Sequence, residues 1–139
     1  MSAADNKALL ERARERWNQQ DEQGYLELYD ANAVLHGYPG VEPGLDGIRR
    51  FYEAFWTGFP GSRLIFEDML AEGDKVAVRF LVLGTHQGEF QGIPPTGRQV
   101  SVPGISIFRF AGGKCVERWS QADLAGLLSA ISTPPQSSG

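Results

Sequence analysis

Residues 100–120, with the sequence VSVPGISIFRFAGGKCVERWS, carry the two-residue repeat of a β-strand on either side of one tight turn. Residues 100–110 form the longer extended run. The glycines of AGGK, at residues 111–114, predict a reverse turn. Residues 115–120 then return as a second extended run. This stretch therefore predicts two paired antiparallel strands.

Two further strands are predicted before this pair. Residues 64–71 form one strand, and residues 76–85, rich in Val, Leu and Phe, form the next. EGDK at 72–75 predicts a hairpin turn between them. Residues 87–97, QGEFQGIPPTG, form an irregular loop, because their glycines and prolines interrupt both ladders and helices. The second half of the chain therefore predicts consecutive antiparallel strands.

The first half of the chain has a helical period instead. Apolar residues recur every three or four positions in three segments: Leu9, Leu10, Ala13 and Trp17, then Tyr25, Leu28 and Tyr29, then Ile48, Phe51, Tyr52 and Phe55. Residues 33–36 form a short extended piece, and 124–130 a closing helix. The predicted class is α+β, with helices on one face of a curved antiparallel sheet. We expect one domain over 1–131 and a disordered Pro/Ser-rich tail over 132–139.

Composition and charge exclude several classes of partner from the predicted function. The chain has 139 residues and a net charge of −4, with basic residues interspersed among acids, so no nucleic-acid partner is predicted. Neither a secretory signal nor a membrane-spanning apolar run is recognised, which predicts a cytoplasmic protein without a membrane partner. No metal site is predicted, because His36 and His86 are the only histidines and the single cysteine cannot build a site alone.

Both faces of the predicted sheet are apolar. The inner face carries Val76, Val78, Phe80, Val82, Gly84 and His86 on one strand and Val100, Val102, Gly104, Ser106, Phe108 and Phe110 on the next. The opposite face carries Leu81, Leu83, Ile105 and Ile107. Either the sheet curls to shelter this outer face or a second subunit covers it, and we favour a homodimer through the outer face.

At this point the sequence resembles a known family. Residues 84–98, GTHQGEFQGIPPTGR, are similar to the signature loop of SnoaL-like polyketide (ester) cyclases, as are residues 104–114, 116–119 and 123–128. The resemblance covers residues 5 to 131. It implies the cone-shaped nuclear-transport-factor-2-like (cystatin-like) fold, a pocket between helices and sheet, and frequent dimers. It also implies ring closure of an aromatic-polyketide ester by intramolecular aldol condensation, with no metal or cofactor.

The resemblance breaks at two positions. The aldol reaction needs a base for a proton alpha to a carbonyl and a donor for the enolate oxygen. Aligning the closing helices puts Ser120 at the family's catalytic aspartate and Ser106 at its partner histidine. A serine hydroxyl without assistance is too weakly basic for this task. The family mechanism therefore does not transfer residue for residue.

Three other residues are candidates for acid/base catalysis. His36 resembles a family position from which a polar side chain reaches the pocket. His86 shares the inner face of its strand, or else bonds loop backbone at the strand end. Asp123 is close to the missing base, although it also stands where a helix cap is expected. The sequence does not show whether the Glu117 side chain lies on the inner or the outer face of the sheet.

The predicted substrate-binding residues combine one cation, two hydroxyls and three rings: Arg118, Ser106, Ser120, Tyr52, Phe55 and Phe108. An inward Arg118 would hold an anionic or carbonyl oxygen, whereas an outward one would form a surface ion pair. The aromatic residues on the helical stripes belong either to the core or to the pocket wall.

Three functions remain open. The first is a cofactor-independent acid/base enzyme acting on a hydrophobic, carbonyl-bearing small molecule. The second is a binding or accessory domain without catalysis, favoured by the two serines. The third is isomerisation or epoxide opening. Related cones open epoxides with paired aspartates and an arginine, and this sequence shows no paired aspartates at pocket spacing.

Overall fold

The computed structural model describes residues 2–132, which form helices and strands in the order α1 (Ala3–Asn18), α2 (Glu22–Leu26), β1 (Tyr29–His36), α3 (Leu45–Gly58), β2 (Arg63–Glu72), β3 (Lys75–Thr85), β4 (Gln99–Ala111), β5 (Lys114–Ala122) and α4 (Leu124–Ser132). The disordered tail predicted for 132–139 lies outside the described residues, apart from Ser132, which ends α4. No helix within residues 2–132 has the length and apolar character that a membrane crossing requires.

The strands form one five-stranded sheet in the order β1-β5-β4-β3-β2. The pairs β2–β3, β3–β4 and β4–β5 are antiparallel, as predicted. The short extended piece predicted at 33–36 is longer than expected and joins the sheet edge, where β1 lies parallel to β5. This edge position was not visible in the sequence, because the pairing joins segments about eighty residues apart.

The second predicted helix ends earlier than expected. Asp21 caps α2 by accepting a hydrogen bond from the backbone of Gly24, and the helix stops at Leu26. Tyr29, placed on the helix by its spacing from Tyr25, begins β1 and pairs with Cys115. A backbone ladder to β5 therefore overrides the helical period at this point.

The helices cover one face of the sheet, and the strands bury alternate residues against them. In β4 the burial alternates almost without interruption, with Val100, Val102, Ser106 and Phe108 inward. Gly104 belongs to the same inward row. A Cβ at this position would lie 2.3 Å from the Phe80 ring, so the glycine lets that ring lie across β4. The α+β prediction, with N-terminal helices packed on the sheet, is confirmed.

The outer face of the sheet carries exposed apolar side chains. Ile105 is 55% and Ile107 41% exposed, and Trp119 on β5 lies opposite Ile107. Ile65 and Leu83, on β2 and β3, extend the same face. The curl of the sheet therefore does not shelter these residues within the described chain.

Candidate functional site

A narrow apolar cavity lies between the helices and the inner face of the sheet. Its volume is about 50 Å³, room for a few water molecules. Helices α1 to α4 and strands β2 to β5 contribute to the wall, which is lined by Leu10, Ala13, Trp17, Tyr25, Leu28, Tyr38, Phe51, Tyr52, Phe55, Leu64, Phe66, Phe80, Val82, Val102, Phe108, Arg118, Ala122 and Leu124. Among these residues Arg118 alone carries a full charge at neutral pH.

Arg118 projects inward from β5 and is 5% exposed. Its Nε donates to Ser106 Oγ at 3.2 Å and to Ser120 Oγ at 3.0 Å, and its Nη2 donates to Ser106 Oγ at 3.0 Å. Its Nη1 donates to the hydroxyls of Tyr29 at 2.8 Å and Tyr52 at 2.6 Å. The guanidinium is therefore held in a fixed orientation by four hydroxyl oxygens.

No carboxylate of residues 2–132 lies within ion-pair distance of Arg118, whereas Arg109 and Arg79 on the outer face both have acidic partners. Aromatic faces surround the cation, with ring centroids 4.4 Å (Phe108), 5.4 Å (Tyr38) and 5.7 Å (Phe80) from its Cζ. A buried charge is costly without a counter-charge. The site therefore concentrates positive potential in an apolar space, which suits an anionic ligand atom.

All four tyrosines of the chain lie around this guanidinium. Burial raises the pKa of Tyr25, Tyr29 and Tyr52, and it raises that of Tyr38 to about 12, although the charge of Arg118 acts in the opposite direction. Burial opposes the charged form of Arg118, but the phenol oxygens favour it, and its pKa lies well above the usual value. The cluster is therefore one fixed cation among neutral hydroxyls.

The hydroxyl hydrogens of this cluster are only partly used within it. Ser106 and Ser120 share one hydrogen bond at 2.7 Å, and the Tyr25–Tyr29 and Tyr29–Tyr52 contacts measure 2.9 and 3.2 Å. Each hydroxyl carries one hydrogen, so these three contacts among five hydroxyls leave two hydrogens. Those hydrogens can be donated to Tyr38 or to a ligand oxygen beside the guanidinium.

His36 does not line the cavity. It is exposed on the outer face, where its Nε2 lies 2.7 Å from Glu117 Oε2 and its ring stacks on Trp119 at 5.5 Å. Glu117 also accepts two hydrogen bonds from Arg109. The bond with His36, followed by Arg109, holds the Glu117 pKa below its usual value. The predicted reach of His36 into the pocket is wrong, because its position on β1 directs the ring to the other side of the sheet.

His86 is fully buried but stands apart from the cavity wall. Its Nδ1 accepts from the Thr96 backbone N at 3.2 Å and lies 3.0 Å from Thr96 Oγ1, while its ring stacks on Phe59. Because Nδ1 accepts an N–H, the neutral ring carries its hydrogen on Nε2, which has no partner within residues 2–132. His86 thus anchors the end of the loop at 87–97.

Asp123 is the helix cap expected at its position. Its Oδ1 accepts from the Gly126 backbone N at 2.9 Å at the start of α4, and the residue is exposed. Catalytic roles for Asp123, His36 and His86 stay predictions, and the structure does not bring the three together at the cavity.

The predicted binding residues do converge. Tyr52, Phe55, Phe108 and Arg118 line the cavity, and Ser106 and Ser120 lie directly behind the guanidinium. Sequence reasoning missed the participation of three tyrosines, Tyr25, Tyr29 and Tyr38. Tyr25 and Tyr29 were assigned to a helical stripe, and no local signal could show that the three tyrosines meet at Arg118.

The described residues offer no evident metal site, since no three His, Cys, Asp or Glu side chains within 2–132 cluster suitably. Cys115 is buried, and burial raises its thiol pKa to about 12. That shift keeps it protonated and therefore poorly nucleophilic at neutral pH.

A curved sheet closed by helices over an apolar cavity defines the nuclear-transport-factor-2-like class of proteins. Within that class, residues 7–131 match the family described as SnoaL-like polyketide cyclase, and the chain belongs to that family. No curated protein matches the chain significantly.

Solved structures agree with this assignment. AclR of Streptomyces galilaeus, a proposed hydroxylase, is 32% identical with a TM-score of 0.85, over 97% of this chain and 85% of its own. A proposed SnoaL-like polyketide cyclase from Jannaschia sp. CCS1 is 28% identical (TM-score 0.83; 96% and 95% covered). IdmH of Streptomyces antibioticus, a proposed polyketide cyclase, is also 28% identical (TM-score 0.74; 92% and 99% covered). Family and neighbours together support a small-molecule enzyme role of the cyclase type.

Proposed function

We propose that this protein binds an apolar, carbonyl-bearing small molecule and stabilises its enolate or phenolate oxygen against Arg118 during a cyclase-type reaction. The observation that carries this proposal is the buried guanidinium, which has hydroxyl partners and no carboxylate within residues 2–132. A preorganised cation in an apolar site of low dielectric stabilises a developing oxyanion far better than bulk water does. An apolar wall supplies the rest of the binding energy.

The proposed reaction is an intramolecular aldol addition. A carbon between two carbonyls loses a proton to water, and the enolate oxygen lies at Arg118. The carbanion carbon then forms a bond with the carbon of a further carbonyl group in the same molecule. The oxygen of that group becomes an alkoxide and takes a proton from Tyr52, which recovers a proton from the hydronium ion formed in the first step. The sum is an isomerisation, with no net proton, oxidant or cofactor consumed.

Water serves as the base in this proposal because neither an imidazole nor a carboxylate lines the cavity among the described residues. A substrate proton of low pKa is therefore required, which favours a β-dicarbonyl compound. An aromatic substrate of this kind is larger than the cavity volume of about 50 Å³. Binding therefore requires the half-buried lining side chains, among them Phe51 and Leu124, to move outward.

Binding without turnover is a second candidate. The same absence of a titratable base from the described cavity wall favours it, because a positioned general base is typically worth about 10²–10⁴ in rate. Both candidates require an anion at Arg118. They differ in whether a 1,3-dicarbonyl ligand is converted to a cyclic product.

A simple aromatic probe tests the anion site. We expect 2-naphthol to bind mainly as its anion, with an apparent pKa lowered by about 1–3 units on the protein because the guanidinium favours the charged form. Absorbance titration with saturating protein measures this shift. Ser106→Ala is expected to reduce the shift, because it removes the acceptor that orients Nε and Nη2.

The matched ligand control is 2-methoxynaphthalene, which has the same rings and no ionisable proton. Its affinity should change less than twofold between pH 6 and pH 9. An unshifted 2-naphthol pKa in the bound state would contradict the proposal.

The outer sheet face is the proposed homodimer interface. Ile105, Ile107 and Trp119 form an exposed apolar group there, and exposed groups of this kind often mark interfaces. A two-fold pairing would bury the patch against its own copy. The isoleucines lie at the centre of the sheet, on β4, where a second sheet could stack without disturbing the cavity.

Ile107→Lys is expected to shift the protein from dimer to monomer, because it buries an unpaired charge in the interface. Sedimentation velocity across a concentration series measures the change. Ala54→Lys, which adds the same charge to the exposed face of α3, should leave the dimer intact. If the wild-type protein stayed monomeric at about 100-fold above the lowest concentration that sedimentation velocity can detect, this interface would be refuted.

A further inference from the structure

A second arginine lies at the edge of the cavity. Arg14, on α1, is half-buried, and its Cζ lies 5.4 Å from the ring centroid of Phe66. Phe66 is itself half-buried and lines the cavity. The cation therefore stacks on a ring that belongs both to the cavity wall and to the protein surface.

Arg14 is not neutralised by an acidic side chain of residues 2–132 at ion-pair distance. Arg16, two positions later on the same helix, pairs with Glu27. Glu67, the acidic residue next to Phe66 on β2, lies on the opposite sheet face and pairs with Arg79 at 3.4 Å. The positive charge of Arg14 is therefore free to act on a ligand that reaches Phe66.

Arg14 and Arg118, neither of which has an ion-pair partner within residues 2–132, flank one pair of rings. Phe66 on β2 lies directly opposite Phe80 on β3, and both rings line the cavity. The Arg118 guanidinium lies 5.7 Å from the Phe80 ring, while that of Arg14 lies over Phe66. The Phe80 ring extends over Gly104 on β4, so the two side chains together cover the cavity wall from β2 to β4. An apolar ligand covering both rings would therefore have a guanidinium at each end.

We propose that Arg14 forms a second anion-binding position at the edge of the cavity, and that the ligand is an apolar ring system with acidic groups at both ends. An enol or phenol oxygen lies at Arg118, and a carboxylate lies at Arg14. A guanidinium presents paired N–H donors that match the two oxygens of a carboxylate. This inference rests on the proposed function, because Arg118 supplies the first contact.

Two matched compounds test the inference. 6-Hydroxy-2-naphthoate carries the hydroxyl of 2-naphthol and adds a carboxylate at the far end of the same rings. We expect it to bind wild-type protein about tenfold more tightly than 2-naphthol, the gain of one charge-assisted contact. In Arg14→Gln this advantage should disappear while the affinity for 2-naphthol is unchanged, as measured by isothermal titration calorimetry.

Two variants serve as controls. Arg12→Gln removes an exposed cation from the same helix and should retain the tenfold advantage, which separates a local contact from overall charge. Arg14→Lys keeps the charge without the planar donor pair and should retain part of the advantage.

The outcomes separate the two proposals. Suppose that 6-hydroxy-2-naphthoate binds more tightly than 2-naphthol by the same factor in wild type and in Arg14→Gln, and that 2-naphthol still binds as an anion. This result would overturn the role of Arg14 and leave the proposed function standing. Failure of both compounds to bind wild-type protein would overturn both proposals.

Discussion

Arg118→Met is expected to weaken the binding of the 2-naphthol anion about 100-fold or more while leaving the melting temperature unchanged or higher. Arg118 is the one charged donor among the described residues that line the cavity, and hydrogen bonds to charged groups have large effects in apolar sites. The same charge destabilises the folded state, because the desolvation cost of burying it is not offset by a carboxylate of residues 2–132.

Methionine suits this test because it is unbranched and approximates the length of the arginine stem in an apolar space. The loss of donors to the hydroxyl cluster works against the gain in stability, but those hydroxyls also bond one another. Equilibrium binding and thermal unfolding are measured on the same samples.

The matched control is Arg109→Met, the same substitution on the neighbouring strand. Arg109 lies on the outer face and pairs with Glu117 at 3.1 Å, so its loss should leave the affinity for 2-naphthol within twofold. A strongly destabilised Arg118→Met protein with intact anion binding would reverse our interpretation and make Arg118 a structural residue.

Phe59→Ala is expected to destabilise the protein by about 3–5 kcal/mol, the usual cost of truncating a fully buried phenylalanine. Phe59 is the C-cap residue directly after α3, and its ring lies 4.9 Å from that of Phe55, 5.2 Å from Phe90 and 5.3 Å from His86. Its removal would leave a void where the cavity wall, the strand end and the loop at 87–97 meet. Chemical denaturation measures the change.

Leu70→Ala provides the comparison for this prediction. Leu70 is a large apolar residue on β2 that is 70% exposed, and its truncation should change the free energy of unfolding by less than about 0.5 kcal/mol. If Phe59→Ala destabilised the protein no more than Leu70→Ala, the end of α3 would not be packed as the structure describes.

The strands were the most predictable part of the fold. Residues such as Val78, Val82 and Val102 were assigned inward by their two-residue repeat, and all three are buried. Alternation is imposed by the backbone of an extended chain, so it can be read locally. The helical stripe of Leu10, Ala13 and Trp17 was readable for the same reason.

Predictions failed where a residue's surroundings come from distant parts of the chain. Tyr29 fits the helical spacing of α2 but pairs with Cys115 in the sheet. His36 was assigned to the pocket, yet the parallel pairing of β1 with β5 places its ring beside Trp119 and Glu117 on the outer face. In both cases a long-range ladder decided an orientation that local spacing left open.

By itself, the sequence determined the α+β class, the family resemblance and the inward row of the central strands, because these depend on short repeats and local motifs. Only the tertiary structure brought Tyr25, Tyr29, Tyr38 and Tyr52 to Arg118 and left that guanidinium without an acidic partner among the described residues. A buried charge is defined by everything packed around it. Its neighbours here come from α2, β1, the following loop, α3 and the strands, which meet only when the chain folds.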